Sequence, residues 1–187
     1  MDAFLDIRLL PDPEFPATTL MNALFSKLHR RLVSFGEGAI GVSFPDVRGG
    51  GRTLGSRMRI HGTTDALQKF MATEWLAGMR DHIAMGTPAA VPAEVRHQIV
   101  RRVQAKSNPA RERRRLIART GVSEDDAQAA IPDSRVELLD LPFVVLKSQS
   151  TGQQFRLFIE HLPAQEASQS GGFSAYGLSA AATVPYF

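Results

Sequence analysis

The sequence predicts an α+β protein. Runs that alternate apolar and polar residues are interleaved with stretches that repeat apolar residues every three or four positions, and Pro or Gly stops separate them. Ala3 to Leu10 alternates, with Leu5, Ile7 and Leu9 on one side and Asp6 and Arg8 on the other, until Pro11-Asp12-Pro13 ends the first strand. From about Thr18 to Val33, Leu20, Met21, Leu24, Phe25, Leu28 and Leu32 fall on one helical face, giving an amphipathic helix that stops near Gly36. Ile40 to Phe44 and Arg57 to His61 are short alternating runs joined through Gly49-Gly50-Gly51, a hairpin. Thr64 caps a helical stretch from Asp65 to Met79, broken near Thr73, and His82 to Val91 is extended again before Pro92.

That order, strand, helix, strand, strand, helix, strand, is a split βαβ arrangement, so residues 1–94 are expected to form a ferredoxin-like (RRM-like) βαββαβ domain. Residues 95–187 are expected to form a smaller α+β lobe carrying an arginine-rich helix and C-terminal strands. In it, Ser123 and Asp126 cap a short acidic helix to Ala130. Leu141 to Ser148 and Phe155 to Glu160 are strands across a Ser150-Thr151-Gly152-Gln153 turn, and a last short run follows Gly171-Gly172 to Tyr186-Phe187. There is no internal repeat.

Composition removes several classes of function. With 187 residues and 43% hydrophobic content the chain can bury a real core. No apolar run approaches the length of a bilayer span, and Met1 to Asp6 lacks the basic flank and apolar stretch of a signal peptide, so a cytoplasmic protein with no membrane partner is expected. Without cysteine there are no disulfides, iron–sulfur clusters or thiolate zinc sites. The loop from Arg48 to Gly55 is not a phosphate-binding P-loop.

Charge is the first positive signal. Residues 95–120 hold nine Lys and Arg against Glu112 alone, +8, which from a total of +3 leaves −5 for the rest of the chain. A basic block on an otherwise acidic protein fits a polyanion such as nucleic acid. Asn108-Pro109 is a helix start and Gly121 a stop. At about 100° per residue, Arg111, Arg114, Arg115 and Arg119 share one sector of that helix, away from Arg113, Leu116 and Ile117. Four guanidinium groups on one face repel one another unless phosphates occupy it. Just upstream, Arg102 and Gln104 have groups suited to guanine and adenine edges, although from spacing alone they read as ordinary surface residues. The Lys/Arg-Gly-aromatic signature for stacking bases on such a sheet is absent, so RNA has to be held elsewhere.

The five histidines, His29, His61, His82, His97 and His161, show no metal-ligand spacing and no acidic trio nearby, so no metal and no small-molecule cofactor is expected. His29 sits on the edge of the first helix's apolar stripe, and on position alone it reads as a helix-end cation favoured by the dipole.

Six blocks in order then carry a resemblance that spans essentially the whole chain. They are Leu5-Asp6-Ile7-Arg8-Leu9 with Pro11 to Pro16, Gly41-Val42-Ser43-Phe44-Pro45, Arg102 to Pro109, Ser148-Gln149-Ser150-Thr151-Gly152, Phe155-Arg156-Leu157-Phe158-Ile159, and Gly171-Gly172-Phe173 with Tyr176-Gly177-Leu178-Ser179. The chain resembles the endoribonucleases that process CRISPR repeat transcripts in type I-F systems. The resemblance implies binding of a repeat RNA hairpin, metal-independent cleavage at the 3′ base of its stem, retention of the product, and association with other subunits of a type I-F surveillance complex. It implies catalytic roles for His29, which handles the proton, Ser148, which holds the attacking ribose, and Tyr176, which orients the imidazole. It implies RNA contacts by Arg102, Gln104, Arg111, Arg114, Arg115, Arg119, Ser150 and Phe155, the last stacking on the terminal base pair. Ala118 and Thr120 are non-basic where that family's helix tends to be basic, which points to fewer phosphate contacts.

The chemistry is coherent. A ribose 2′-hydroxyl attacking its own phosphate needs a proton acceptor and alignment, and it leaves a 2′,3′-cyclic phosphate and a 5′-hydroxyl. The alternatives are a non-catalytic RNA-hairpin module in which His29 is structural, and a DNA-binding regulator, disfavoured because no helix-turn-helix or dimer pattern is visible.

Overall fold

The computed structural model describes residues 1–36, 38–47, 51–104, 109–132, 139–148 and 152–187. The Asn108 cap, Lys106, Ser150 and most of the hairpin glycines lie outside these residues. The class is α+β with antiparallel sheets, as expected.

The elements open with β1 (Ala3–Leu9), α1 (Ala17–Phe35), β2 (Gly41–Ser43), β3 (Arg57–Gly62), α2 (Thr64–Met71), a 3₁₀ turn at Arg80–His82, β4 (Ile83–Met85) and β5 (Ala89–Ala90). The sheet runs β2-β3-β1-β4, with β5 also on β1, and every pairing is antiparallel. Leu5 sits opposite Ile60 and Ile7 opposite Met58. Leu5, Ile7 and Leu9 meet the six apolar residues of α1, all buried, together with Leu67 and Phe70 of α2. Full burial of one such side chain is worth about 1.5–3 kcal/mol, so the 3.6-residue stripe dictates how α1 lies on the sheet. Opposite the helices, the polar positions pair: Asp6 takes a bidentate contact from Arg59 at 2.7 and 3.0 Å. Arg59 also donates to the Phe187 carbonyl at 3.1 Å and lies over the Phe4 and Phe187 rings, tying the C-terminus to the sheet.

Two local expectations change. Thr63, not Thr64, caps α2, its hydroxyl accepting from the Ala66 N–H at 3.1 Å. The helix ends at Met71, so the stretch to Met79 is not helical.

Further elements are β6 (Arg96–Gln98), β7 (Val100–Val103), α3 (Pro109–Thr120), α4 (Glu124–Ala130), β8 (Phe143–Lys147), β9 (Gln154–His161) and β10 (Val184–Tyr186). β6 and β7 are strands the sequence did not predict within the basic block: β6 pairs with β10, and β7 joins a second sheet of order β7-β9-β8. Arg101 on β7 donates to Glu160 at 2.8 Å, directly across on β9, while Arg102 on the next position is exposed. The described chain forms two compact units, one of Met1–Val103 with Leu141–Phe187, the other Gln104–Asp140. Within the second unit, α3 ends at Gly121, whose φ is +70° and whose N–H donates to the Ile117 carbonyl at 2.8 Å. The Ser123 hydroxyl caps α4, accepting from the Asp126 N–H at 3.1 Å. Arg113 of α3 donates to the Ile131 carbonyl just past α4, at 2.7 Å. Among the described residues no helix is long and apolar enough to cross a membrane.

Candidate active site and RNA-binding surfaces

α1 runs on to Phe35, so His29 stands six residues before its end and not at its terminus. A helix dipole acts on charges within its last turn, so the helix-end reading of His29 fails. What holds the ring comes from far along the chain. Nδ1 lies 2.7 Å from the Ala175 carbonyl oxygen. A carbonyl can only accept, so Nδ1 carries the proton, and in the neutral ring Nε2 keeps its lone pair. Tyr176 stacks on the imidazole with centroids 4.3 Å apart and planes 12° apart. Phe25, one turn earlier on α1, is also near-parallel to Tyr176 at 6.4 Å, and the Arg102 guanidinium lies 5.6 Å from the Tyr176 centroid.

The loop that delivers Ala175 and Tyr176 is built on Gly177. Its φ is +70°, its carbonyl accepts from the Val42 N–H of β2 at 2.9 Å, and a Cβ there would stand 3.0 Å from both Val42 methyls. Ser174 closes the turn: its N–H donates to the Leu178 carbonyl at 2.9 Å, and its carbonyl accepts from the Gly177 N–H at 2.8 Å. His29 is thus fixed by a loop anchored on the first sheet's edge strand.

The other histidines are placed differently. His61 is fully buried and shares a 2.8 Å hydrogen bond with the Ser43 hydroxyl; burial, then the Arg59 charge, push it down to about 3. Burial pushes His161 down to about 4. His82 pairs with Asp12 at 2.7 Å. Asp12 also accepts from the Phe15 and Glu14 N–H groups, which hold its carboxyl below the usual range. His97 lies on β6. Among the described residues no three His, Asp or Glu side chains group as metal ligands do.

The remaining candidates fall into separate places. Ser148 directly follows β8, and Phe155 is the second residue of β9. The Ser148 N–H donates to the Gln153 carbonyl and its own carbonyl accepts from the Gly152 N–H, both at 2.9 Å. Phe155 pairs with Leu146 and is partly buried against the core. Gln104 is exposed. On α3, Arg111, Arg114, Arg115 and Arg119 are all exposed, while Arg113, Leu116 and Ile117 are partly buried, the division the helical spacing calls for. The structure brings His29, Tyr176 and Arg102 into one stack. Sequence reasoning missed the Ala175 carbonyl and Phe25; a backbone acceptor leaves no residue-type signal, and only the Tyr176-Gly177 turn hinted at it.

A model of the CRISPR-associated Csy4 proteins matches residues 4–187. Over 187 residues, 100% of both chains, the sequence is 54% identical to the CRISPR-associated endonuclease Cas6/Csy4 of Pseudomonas aeruginosa (strain UCBPP-PA14). It is 44% identical, again over 100% of both chains, to the protein of the same name from Escherichia coli (strain UTI89 / UPEC).

Proposed function

We propose that this chain, which belongs to the CRISPR-associated Csy4 family, is a cytoplasmic endoribonuclease that binds the CRISPR repeat hairpin and cuts at the 3′ base of its stem. The attacking group is the ribose 2′-hydroxyl, the reaction needs no metal or cofactor, and the products are a 2′,3′-cyclic phosphate and a 5′-hydroxyl. The product stays bound, and other subunits of a type I-F surveillance complex are the protein partners. Residues 1–94 are a ferredoxin-like domain, a reading the β4-β1-β3-β2 order supports, and residues 95–187 act as the RNA-binding lobe.

One observation carries the reading. His29 spends Nδ1–H on the Ala175 carbonyl, which leaves Nε2 as the group free to accept a proton from the 2′-hydroxyl. Tyr176 holds the plane of the ring by stacking on it. Ser148 holds the attacking ribose, so that its oxygen lies in line with the phosphorus and the leaving oxygen. Arg102 and Gln104 read base edges low in the stem, Phe155 stacks on the terminal pair, and Ser150 joins these contacts. Arg111, Arg114, Arg115 and Arg119, exposed along one side of α3, take the phosphates.

The test separates binding from cutting. His29→Ala should leave hairpin affinity nearly intact and abolish single-turnover cleavage, because its contribution belongs to the transition state. A 2′-deoxy ribose at the cut should give the same result with unaltered protein. Cleavage of that deoxy substrate at the same bond would remove the 2′-hydroxyl as nucleophile, and with it the roles of His29 and Ser148. A His29→Ala variant that still cuts would put the cutting group elsewhere, and an unaltered protein that binds the hairpin without cutting it would make this a non-catalytic hairpin-binding module.

A further inference from the structure

β8 is the outer strand of its sheet, and its N–H groups that point away from β9 need acceptors from another element. α1 lies against β8 and supplies one: the Val145 N–H donates to Asn22 Oδ1 at 2.9 Å, in a partly buried setting. Asn is a weak helix former, so a mid-helix Asn calls for a reason beyond α1 itself. The neighbouring packing is apolar and non-directional, whereas a hydrogen bond has a preferred length and angle. This bond therefore sets where along α1 the strand comes to rest.

Asn22 and His29 are two helical turns apart on the same flank of α1. At roughly 1.5 Å per residue their axial separation is about 10 Å. Val145 and Ser148 are three strand positions apart, also about 10 Å at roughly 3.3 Å per residue. The tie thus stands at matching distances from the two groups whose spacing the reaction depends on. Resting on the roles given above to His29 and Ser148, we infer that Asn22 is a positioning residue: by joining β8 to α1 at one register it sets the placement of Ser148 relative to His29.

The test uses Asn22→Leu, which keeps the shape and deletes the acceptor, and Asn22→Asp, which keeps an acceptor oxygen, each made in the wild-type and the Ser148→Ala backgrounds. Hairpin affinity, single-turnover rate and melting temperature are measured for all. Asn22→Leu should slow cleavage roughly tenfold with affinity unchanged, since small misplacements of aligned groups cost rate steeply. Asn22→Asp should cut at close to the wild-type rate. In the Ser148→Ala background Asn22→Leu should cost almost nothing more, because no serine is left to misplace. Asn22→Gln, which moves the acceptor out by one methylene, should show the same non-additivity and keeps the question answerable if the Leu variant does not fold. A full-rate Asn22→Leu, or an equal fold-loss in both backgrounds, overturns the inference alone. A Ser148→Ala variant that cuts at the wild-type rate overturns the role of Ser148 and this inference with it.

Discussion

Gly177→Ala tests how tightly the His29 environment is built. The residue carries a φ of +70°, and an added Cβ would meet the two Val42 methyls at 3.0 Å, in a β2 strand that is itself buried. Placing a non-glycine residue in the left-handed region costs about 1–2 kcal/mol. Overpacking against a fixed neighbour costs about 1–3 kcal/mol more. A total of about 2–5 kcal/mol in a chain of this size corresponds to a melting temperature lower by roughly 5–20 °C. If the loop shifts to relieve the contact, the Val42 to Gly177 hydrogen bond lengthens and the Ala175 carbonyl leaves His29, so cleavage falls even where folding survives. Gly78→Ala is the control: its φ is +77° with nothing within 4 Å of the added Cβ, so it carries the backbone cost alone. Thermal melts and single-turnover cleavage of both variants decide the matter. A Gly177→Ala protein that melts and cuts like Gly78→Ala would refute the claim that this loop is wedged against β2 and holds His29.

Replacing Arg114, Arg115 or Arg119 with Ala should weaken all hairpins similarly and lower the slope of log affinity against log salt by roughly one, measured by titration at several salt concentrations. A change in which hairpin is preferred, at an unaltered slope, would assign that arginine to bases instead. Arg102→Ala should cost about 1–3 kcal/mol in binding and relax discrimination at one guanine, read from a panel of stem variants. Excess EDTA should leave cleavage intact when monovalent salt keeps the RNA folded; activity that disappears and returns with magnesium would sink the histidine mechanism. Stability should fall with acid, because His61 and His161 are held neutral at about 3 and about 4 in the fold against 6.5 unfolded. Depressed values mean that the unfolded chain binds the protons first, so stability is full above pH 6.5 and lost below it. Between pH 7 and 5 each histidine should contribute a loss of about 2 kcal/mol. Urea midpoints at the two pH values check this, and His161→Phe, beside Phe44, should remove about half the difference.

Most of the first sheet and its helices were legible because their burial is periodic. Leu5, Ile7 and Leu9 alternate, the six buried residues of α1 repeat at helical spacing, and those rhythms survive whatever else the chain does. β6 and β7 were not legible, since their strand character is not local. Arg101 and Arg102 between Val100 and Val103 look like part of a basic block until β9 lies alongside and Glu160 takes Arg101. The α2 cap shows a smaller limit of the same kind. Thr63 and Thr64 are equivalent to a pattern search; in the fold the Thr63 hydroxyl takes the Ala66 N–H, while the Thr64 N–H is tied to Asp2 at 3.1 Å.

The site was legible in unequal parts, and the difference follows from what each residue does. A face of exposed arginines is a property of residue type and helical spacing, so Arg111, Arg114, Arg115 and Arg119 could be placed from the sequence itself. A histidine is defined by its surroundings, and the five in this chain are alike until those are known. His61 is buried and His161 partly buried, both neutral, one is paired with a carboxylate, one lies in a two-stranded ribbon, and His29 alone is stacked on a tyrosine with one nitrogen pinned. The pin is a main-chain carbonyl 146 residues away, and any residue type could have supplied it. Resemblance to a family therefore had to single out His29. The geometry then adds what resemblance alone did not contain: which nitrogen is committed, that Tyr176 lies flat against the imidazole, and why a glycine at 177 has to follow that tyrosine.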